Sequence, residues 1–152
     1  MKFVRATQKL DIPAGMQDRH IAFVALVLFA GVVGGAPTPA NFGGEYANKK
    51  FLNGKAIFQM SLEQTGTTFS VWFSATYEDG HGAAPEAQGI GKVKNDGMAE
   101  FMFQDNFGNT GTATIVRGAN EIVVTMQMKK IVDARCMEFY GPKIHLKPAA
   151  NR

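Results

Sequence analysis

The sequence predicts an all-β protein: an antiparallel up-and-down meander of eight or nine strands that closes as a small barrel, preceded by an N-terminal signal peptide. A two-sheet β-sandwich is the alternative. Three observations predict it. From residue 41 onward no helical period of apolar residues is present, whereas short runs alternating apolar and polar side chains recur between Gly and Asn breaks. The breaks are short, so nearly every connection reads as a hairpin. Ahead of them lies one uncharged apolar stretch, residues 21–36. With 45% apolar and 19% charged residues, the 152-residue chain has the composition of a globular domain.

The leader comes first. Arg19 and His20 precede the apolar stretch, and Ala36-Pro37-Thr38-Pro39-Ala40 follows it. A basic start, an apolar middle and a small-residue exit is the order of a secretory signal peptide, with cleavage expected after Ala40 and Met16 as a possible true start. The stretch is shorter than the roughly 20 residues of a membrane span, so an uncleaved anchor is the lesser reading and no stable span is expected after cleavage. Residues 41–152 then form a single β domain in the periplasm or outside the cell. Lys2, Arg5, Lys9 and Arg19 against Asp11 and Asp18 carry two of the three formal positive charges, leaving +1 on the domain. The basic footprint of a nucleic-acid binder is missing from that total, and nucleic acid is set aside.

The strands follow in order. A short opening run is expected around 42–46. Residues 55–63 place Ala56, Phe58, Met60 and Leu62 on one face, and 67–76 place Phe69, Val71, Phe73 and Ala75 likewise. Further runs span 90–94, 98–104, 110–117, 121–128, 131–140 and 143–147. Asn53-Gly54, Gln64-Thr65-Gly66, Asn95-Asp96-Gly97, residues 105–109, 118–120 and Gly141-Pro142 separate them, and such residues supply tight-turn geometry. Closure removes the two edges an open meander would expose. The expected inward set is Phe58, Met60, Leu62, Phe69, Val71, Phe73, Phe101, Phe103, Ile122, Val124, Met126 and Ala134.

One connection is long. Residues 78–88 are small and polar where the other turns are brief, and long loops in compact domains often carry function. Glu78, Asp79, His81, Pro85 and Glu86 are its candidate binding residues. One His in a Gly-rich loop falls short of the three ligands of a catalytic zinc, so no metal and no cofactor is expected. His145 reads as a structural or surface residue. No Gly-x-Ser-x-Gly elbow, His-Glu-x-x-His or phosphate-cradling loop is found, and no catalytic residue is assigned. Cys136, the single Cys, excludes an intramolecular disulfide. Placed on a strand with Val132 and Ala134, it reads as a buried, inert thiol, with a disulfide-linked dimer as the alternative. Arg135, on the opposite face with Ile131, Met137 and Phe139, is either a guanidinium laid over apolar surface against Tyr46 or an ordinary surface Arg.

Gly44-Glu45-Tyr46 at the first strand, the meander after it and the late Arg135 together resemble the layout of calycin-like barrels, which pair an early Gly-x-aromatic with a late basic residue. The long connection between the third and fourth strands resembles the lid loop of avidin-type barrels. In size, export and β architecture the chain is similar to small periplasmic inhibitors of lysozymes and proteases. The likeness is one of layout: Tyr46 stands where such families carry Trp, Trp72 lies on another strand, and no polar biotin-ligand set carries over. It implies a barrel closed by Tyr46 and Arg135.

The function expected is non-enzymatic binding of an exported or periplasmic protein, such as a hydrolase, by an inhibitor- or immunity-type module using the 78–88 loop. An apolar small-ligand binder in the barrel mouth is the first alternative, and an enzyme of unknown type the second. The oligomeric state is open.

Overall fold

The computed structural model describes residues 39–149. The apolar stretch 21–36 and Met16 lie outside the described residues. Eight strands follow in chain order: β1 Gly44–Lys50, β2 Ala56–Thr65, β3 Thr68–Tyr77, β4 Glu86–Val93, β5 Ala99–Asp105, β6 Thr110–Arg117, β7 Ile122–Lys130 and β8 Ile144–Pro148. Each pairs antiparallel with the next, and β8 returns to β1 at Tyr46↔Pro148 and Ala47↔Lys147. The sheet is a closed barrel, so the sandwich alternative does not hold. Two short helical pieces complete it, a turn at Phe51–Gly54 and a 3-10 helix at Ala134–Phe139.

The interior is filled by a division of size between strands. Inward positions on β2, β3 and β5 carry Phe58, Met60, Leu62, Phe69, Val71, Phe73, Phe101 and Phe103, all buried. Those on β4 and β6 are mostly small, Ala87, Gly89 and Gly91 on one and Gly111 and Ala113 on the other, with Val93 and Ile115 the larger ones near the hairpin end. A Cβ on Gly91 would overlap the Phe69 ring, so the ring occupies the space the glycine leaves. Phe73 stacks against Phe58 at 5.6 Å and meets the edge of Phe103 at 5.3 Å. Burial of each such side chain stabilises the fold by about 1.5–3 kcal/mol.

Strand alternation places the connections at two ends. At one end β2–β3, β4–β5 and β6–β7 are joined by tight hairpins. Phe42 closes that end, fully buried, with its carbonyl accepting from the Tyr46 hydroxyl at 3.0 Å and its N–H donating to Gln64 Oε1 at 2.7 Å. The other end gathers the Phe51–Gly54 turn, residues 78–85, residues 106–109 and the long connection 131–143.

The strand expected over 131–140 is not a strand. Residues 131–133 are irregular, with a bend at Val132, and the chain then winds as the 3-10 helix, with Asp133 as its N-cap accepting from Arg135 N–H at 3.0 Å. β7 already pairs with β6 and β8, so its edges are taken and a further strand has no site. The buried residues there are Cys136 and Phe139, three apart as a 3-10 period requires, while Ala134 points to solvent instead of inward. The fourth strand begins at Glu86 instead of Ile90, because Ala87 and Gly89 face inward without the bulk that marks an alternating run.

Candidate functional site

The loop between β3 and β4 spans residues 78–85 and is fastened along its length. Glu78 N–H donates to Lys55 O at 2.9 Å, Gly80 N–H to Tyr77 O at 3.1 Å, and His81 N–H to Asp79 Oδ1 at 3.0 Å. The last of these is the Asx turn that Asp favours. Gly82 sits at φ +100°, and a Cβ there would lie 2.9 Å from Tyr77 Cε2, so the Tyr77 ring packs directly beneath it. That ring meets the edge of Phe139 at 5.1 Å, and its hydroxyl donates to Glu138. At the far end Pro85 O accepts from Ala75 N–H at 2.9 Å, and the Asn106 side chain bridges Ala84 O and Glu86 N–H.

The five residues expected to bind therefore separate. Glu78, Asp79 and His81 are exposed at the tip. Pro85 is buried against the barrel and has no surface to offer a partner. Glu86 belongs to β4, where its carboxylate accepts from Trp72 Nε1–H at 2.7 Å. The His81 and Asp79 side chains stand 4.0 Å apart with 89% and 73% of their surface exposed, an arrangement that water screens to roughly 0–1 kcal/mol. Asp79 O takes the His81 Nδ1 side at 2.8 Å, leaving Nε2 toward solvent.

Beneath this end lies a polar core that the sequence did not signal. Asp105 is 4% exposed and Asn109 fully buried. The Asp105 carboxylate accepts from Phe107 N–H at 2.9 Å, Asn109 N–H at 2.8 Å, Asn109 Nδ2 at 2.7 Å and the Tyr140 hydroxyl at 2.5 Å. Asn109 Oδ1 in turn accepts from Val132 N–H at 2.7 Å and Asp133 N–H at 2.9 Å. Burial, reinforced by the bond to Asp105 and its charge, raises the Tyr140 phenol far above its ordinary value. Its proton is held in place, so the arrangement is a lock between the 105–109 turn and the 131–140 segment. Burial also pushes the Cys136 thiol up, with Asp105 and Asp133 adding to it, so little of the nucleophilic thiolate is present.

Tyr46 and Arg135 do not meet. Tyr46 is buried beside the β1–β8 seam near the hairpin end, whereas Arg135 lies on the 3-10 helix at the loop end. The Arg135 guanidinium forks onto Asp133, with Nε 3.0 Å from Oδ1 and Nη2 2.5 Å from Oδ2, which holds the Asp133 carboxyl down to about 2. The cations that line the groove beside Tyr46 are Arg117, which donates to Asn41 O, and Lys147. His145 faces outward on β8, 2.9 Å from Glu121 Oε1. Among the described residues no three His, Cys, Asp or Glu side chains are grouped to hold a metal ion.

The outer wall carries exposed apolar side chains, Val116 on β6 standing alone and the others in pairs. Ile90 (73% exposed) and Met102 (69%) lie on adjacent strands, between a groove lined by Trp72 and Gln88 and one lined by Lys92, Thr112 and Thr114. At the loop end Ile131 and Val132 are also exposed. Comparison with protein-family models, with curated proteins and with solved structures finds no match to this chain.

Proposed function

We propose that this chain is an exported, non-enzymatic binding protein that offers the tip of the 78–85 loop to a protein partner, in the manner of a periplasmic inhibitor or immunity-type module. The observation that carries this reading is the fastening of the loop. Its backbone is tied at Lys55, Tyr77, Ala75 and Asn106, while Glu78, Asp79 and His81 stay exposed to solvent. A tip already held in one conformation loses little entropy when it enters a cleft. Two carboxylates and an imidazole suit a cleft lined with cations and hydrogen-bond donors, such as that of a hydrolase. Export is supported by the uncharged stretch 21–36, and a calycin-like relationship by the closed meander of eight strands. The apolar small-ligand reading is less well supported, because the Phe side chains it would assign to a cavity pack against one another.

The test is partner capture from periplasmic extract by the mature chain. Deleting the whole loop would tear out the buried Ala83 and Pro85, so Asp79→Ala/His81→Ala is the cleaner change. The double variant is expected to melt like the wild type and to lose capture at least tenfold. Undiminished capture would remove the tip from consideration.

A further inference from the structure

The net charge of the β domain conceals how its charge is distributed. Outward positions on β7, β8 and β1 and the residues that flank them carry Lys129, Lys130, Lys143, Lys147, Lys49 and Lys50. Among the described residues none of the six is in an ion pair; the single lysine that makes one is Lys94, with Glu100. The acids near them are fewer, and none is bonded to a lysine. Glu121 holds His145, Asp133 holds Arg135, Glu45 accepts from Ser61, and Glu138 accepts from Tyr77. Glu86, Asp96 and Glu100 belong to the opposite wall, on β4, β5 and the turn between them, and Glu63 stands on β2, next to β1. Six lysines against Glu45, Glu121 and Glu138, with Asp133 balanced by Arg135, leave this side of the barrel with an excess of positive charge.

Where this side reaches the loop end, Lys129 and Lys130 run directly into Ile131 and Val132, 53% and 57% exposed. Aliphatic side chains in a mobile loop would need no explanation, but these are presented deliberately. The fully buried Asn109 accepts from the N–H groups of both Val132 and Asp133, and Val132 lies over Gly108. A buried amide thus fixes a backbone whose side chains point to water.

We infer that this side of the barrel docks on an anionic lipid surface, with Ile131 and Val132 entering the headgroup boundary and the lysines of β7, β8 and β1 facing the lipid phosphates. Lysines near such a surface are attracted by its negative potential, and adjoining aliphatic side chains gain by leaving water for the acyl boundary. A nucleic acid would satisfy the lysines but has no apolar layer for Ile131 and Val132.

Trp72 makes the test possible, since it is the only Trp and lies on the opposite wall, bonded to Glu86. The full-length chain is compared with a Val132→Trp variant in a Trp72→Phe background, mixed with vesicles carrying brominated lipids. In one set about a third of the phosphatidylcholine is replaced by phosphatidylglycerol, and in the other none is. Expected is strong quenching of the Val132→Trp variant on anionic vesicles only, with Trp72 of the wild type unquenched on the same vesicles. Lys129→Gln/Lys130→Gln should then weaken vesicle binding by at least tenfold at low salt, on the order of fivefold per lysine. Absence of quenching at position 132, equal quenching at positions 72 and 132, or indifference to the two lysines would overturn the proposal. Asp79→Ala/His81→Ala should bind vesicles like the wild type, so failure of the loop reading and failure of this one are distinguishable.

Discussion

The two ends of the barrel solve the same problem by different chemistry. At the hairpin end each turn satisfies its own backbone within a few residues, as where Gly97 N–H donates to Lys94 O and Gly118 N–H to Glu121 O. One ring, Phe42, then suffices as a lid. At the loop end two connections, 78–85 and 131–143, are too long to close on themselves, and side chains of the short 105–109 turn supply the missing partners. Asn106 binds the 78–85 loop, Asn109 binds residues 132 and 133, and Asp105 gathers four donors under them. Long connections at one end thus require a buried polar core there, and the same core holds exposed side chains in fixed positions.

If that contrast is right, the largest loss should come from the polar core. Asn109→Ala removes the acceptor for two backbone N–H groups and a donor to Asp105, at about 1–3 kcal/mol for each group left unpaired, so chemical denaturation should record a loss of about 3–5 kcal/mol. A loss below about 1 kcal/mol would mean that the loop end is not locked through Asn109. Phe42→Ala, which opens the hairpin end, should cost about 3 kcal/mol while leaving the Tyr46 hydroxyl its acceptor, which is backbone. Hydrogen exchange after Phe42→Ala should quicken near β1 and leave the 131–140 segment protected.

The pH dependence sharpens the comparison further. Tyr140 is raised in the folded state, so its contribution is complete below the unfolded phenol value of about 10 and declines as pH rises past it. Stability should therefore fall in alkali with a slope of up to one proton, and Tyr140→Phe should abolish that component. Asp133 is lowered, chiefly by its side-chain bond with Arg135, so its contribution is present above the ordinary carboxyl value of 3.8 and disappears as pH falls toward about 2. Because its partner Arg135 is largely exposed and water screens the pair, this should give the smallest effect: Asp133→Ala should quicken amide exchange at Arg135 with only a slight lowering of the melting temperature.

Much of this architecture was legible beforehand, and the misreadings have identifiable causes. Phe58, Met60 and Leu62 on β2 alternate plainly with Gln59 and Ser61, so strand and facing follow together. Residues 131–139 alternate too, yet become a bend and a 3-10 helix, because Asn109 captures Val132 and Asp133 from more than twenty residues away. In the loop, Asp79 and Gly80 announced an exposed tip, but nothing local marks Pro85 as buried or Glu86 as the acceptor for Trp72.

Periodicity and turn residues specify strands, hairpins and most of the inward set, since both are properties of neighbouring residues and survive whatever surrounds them. Closure of β8 on β1, the lock around Asp105 and Asn109, and the gathering of lysines on one wall arise only when distant segments meet. A charge count is a sum over the chain, whereas the potential felt by a partner depends on where each charge stands.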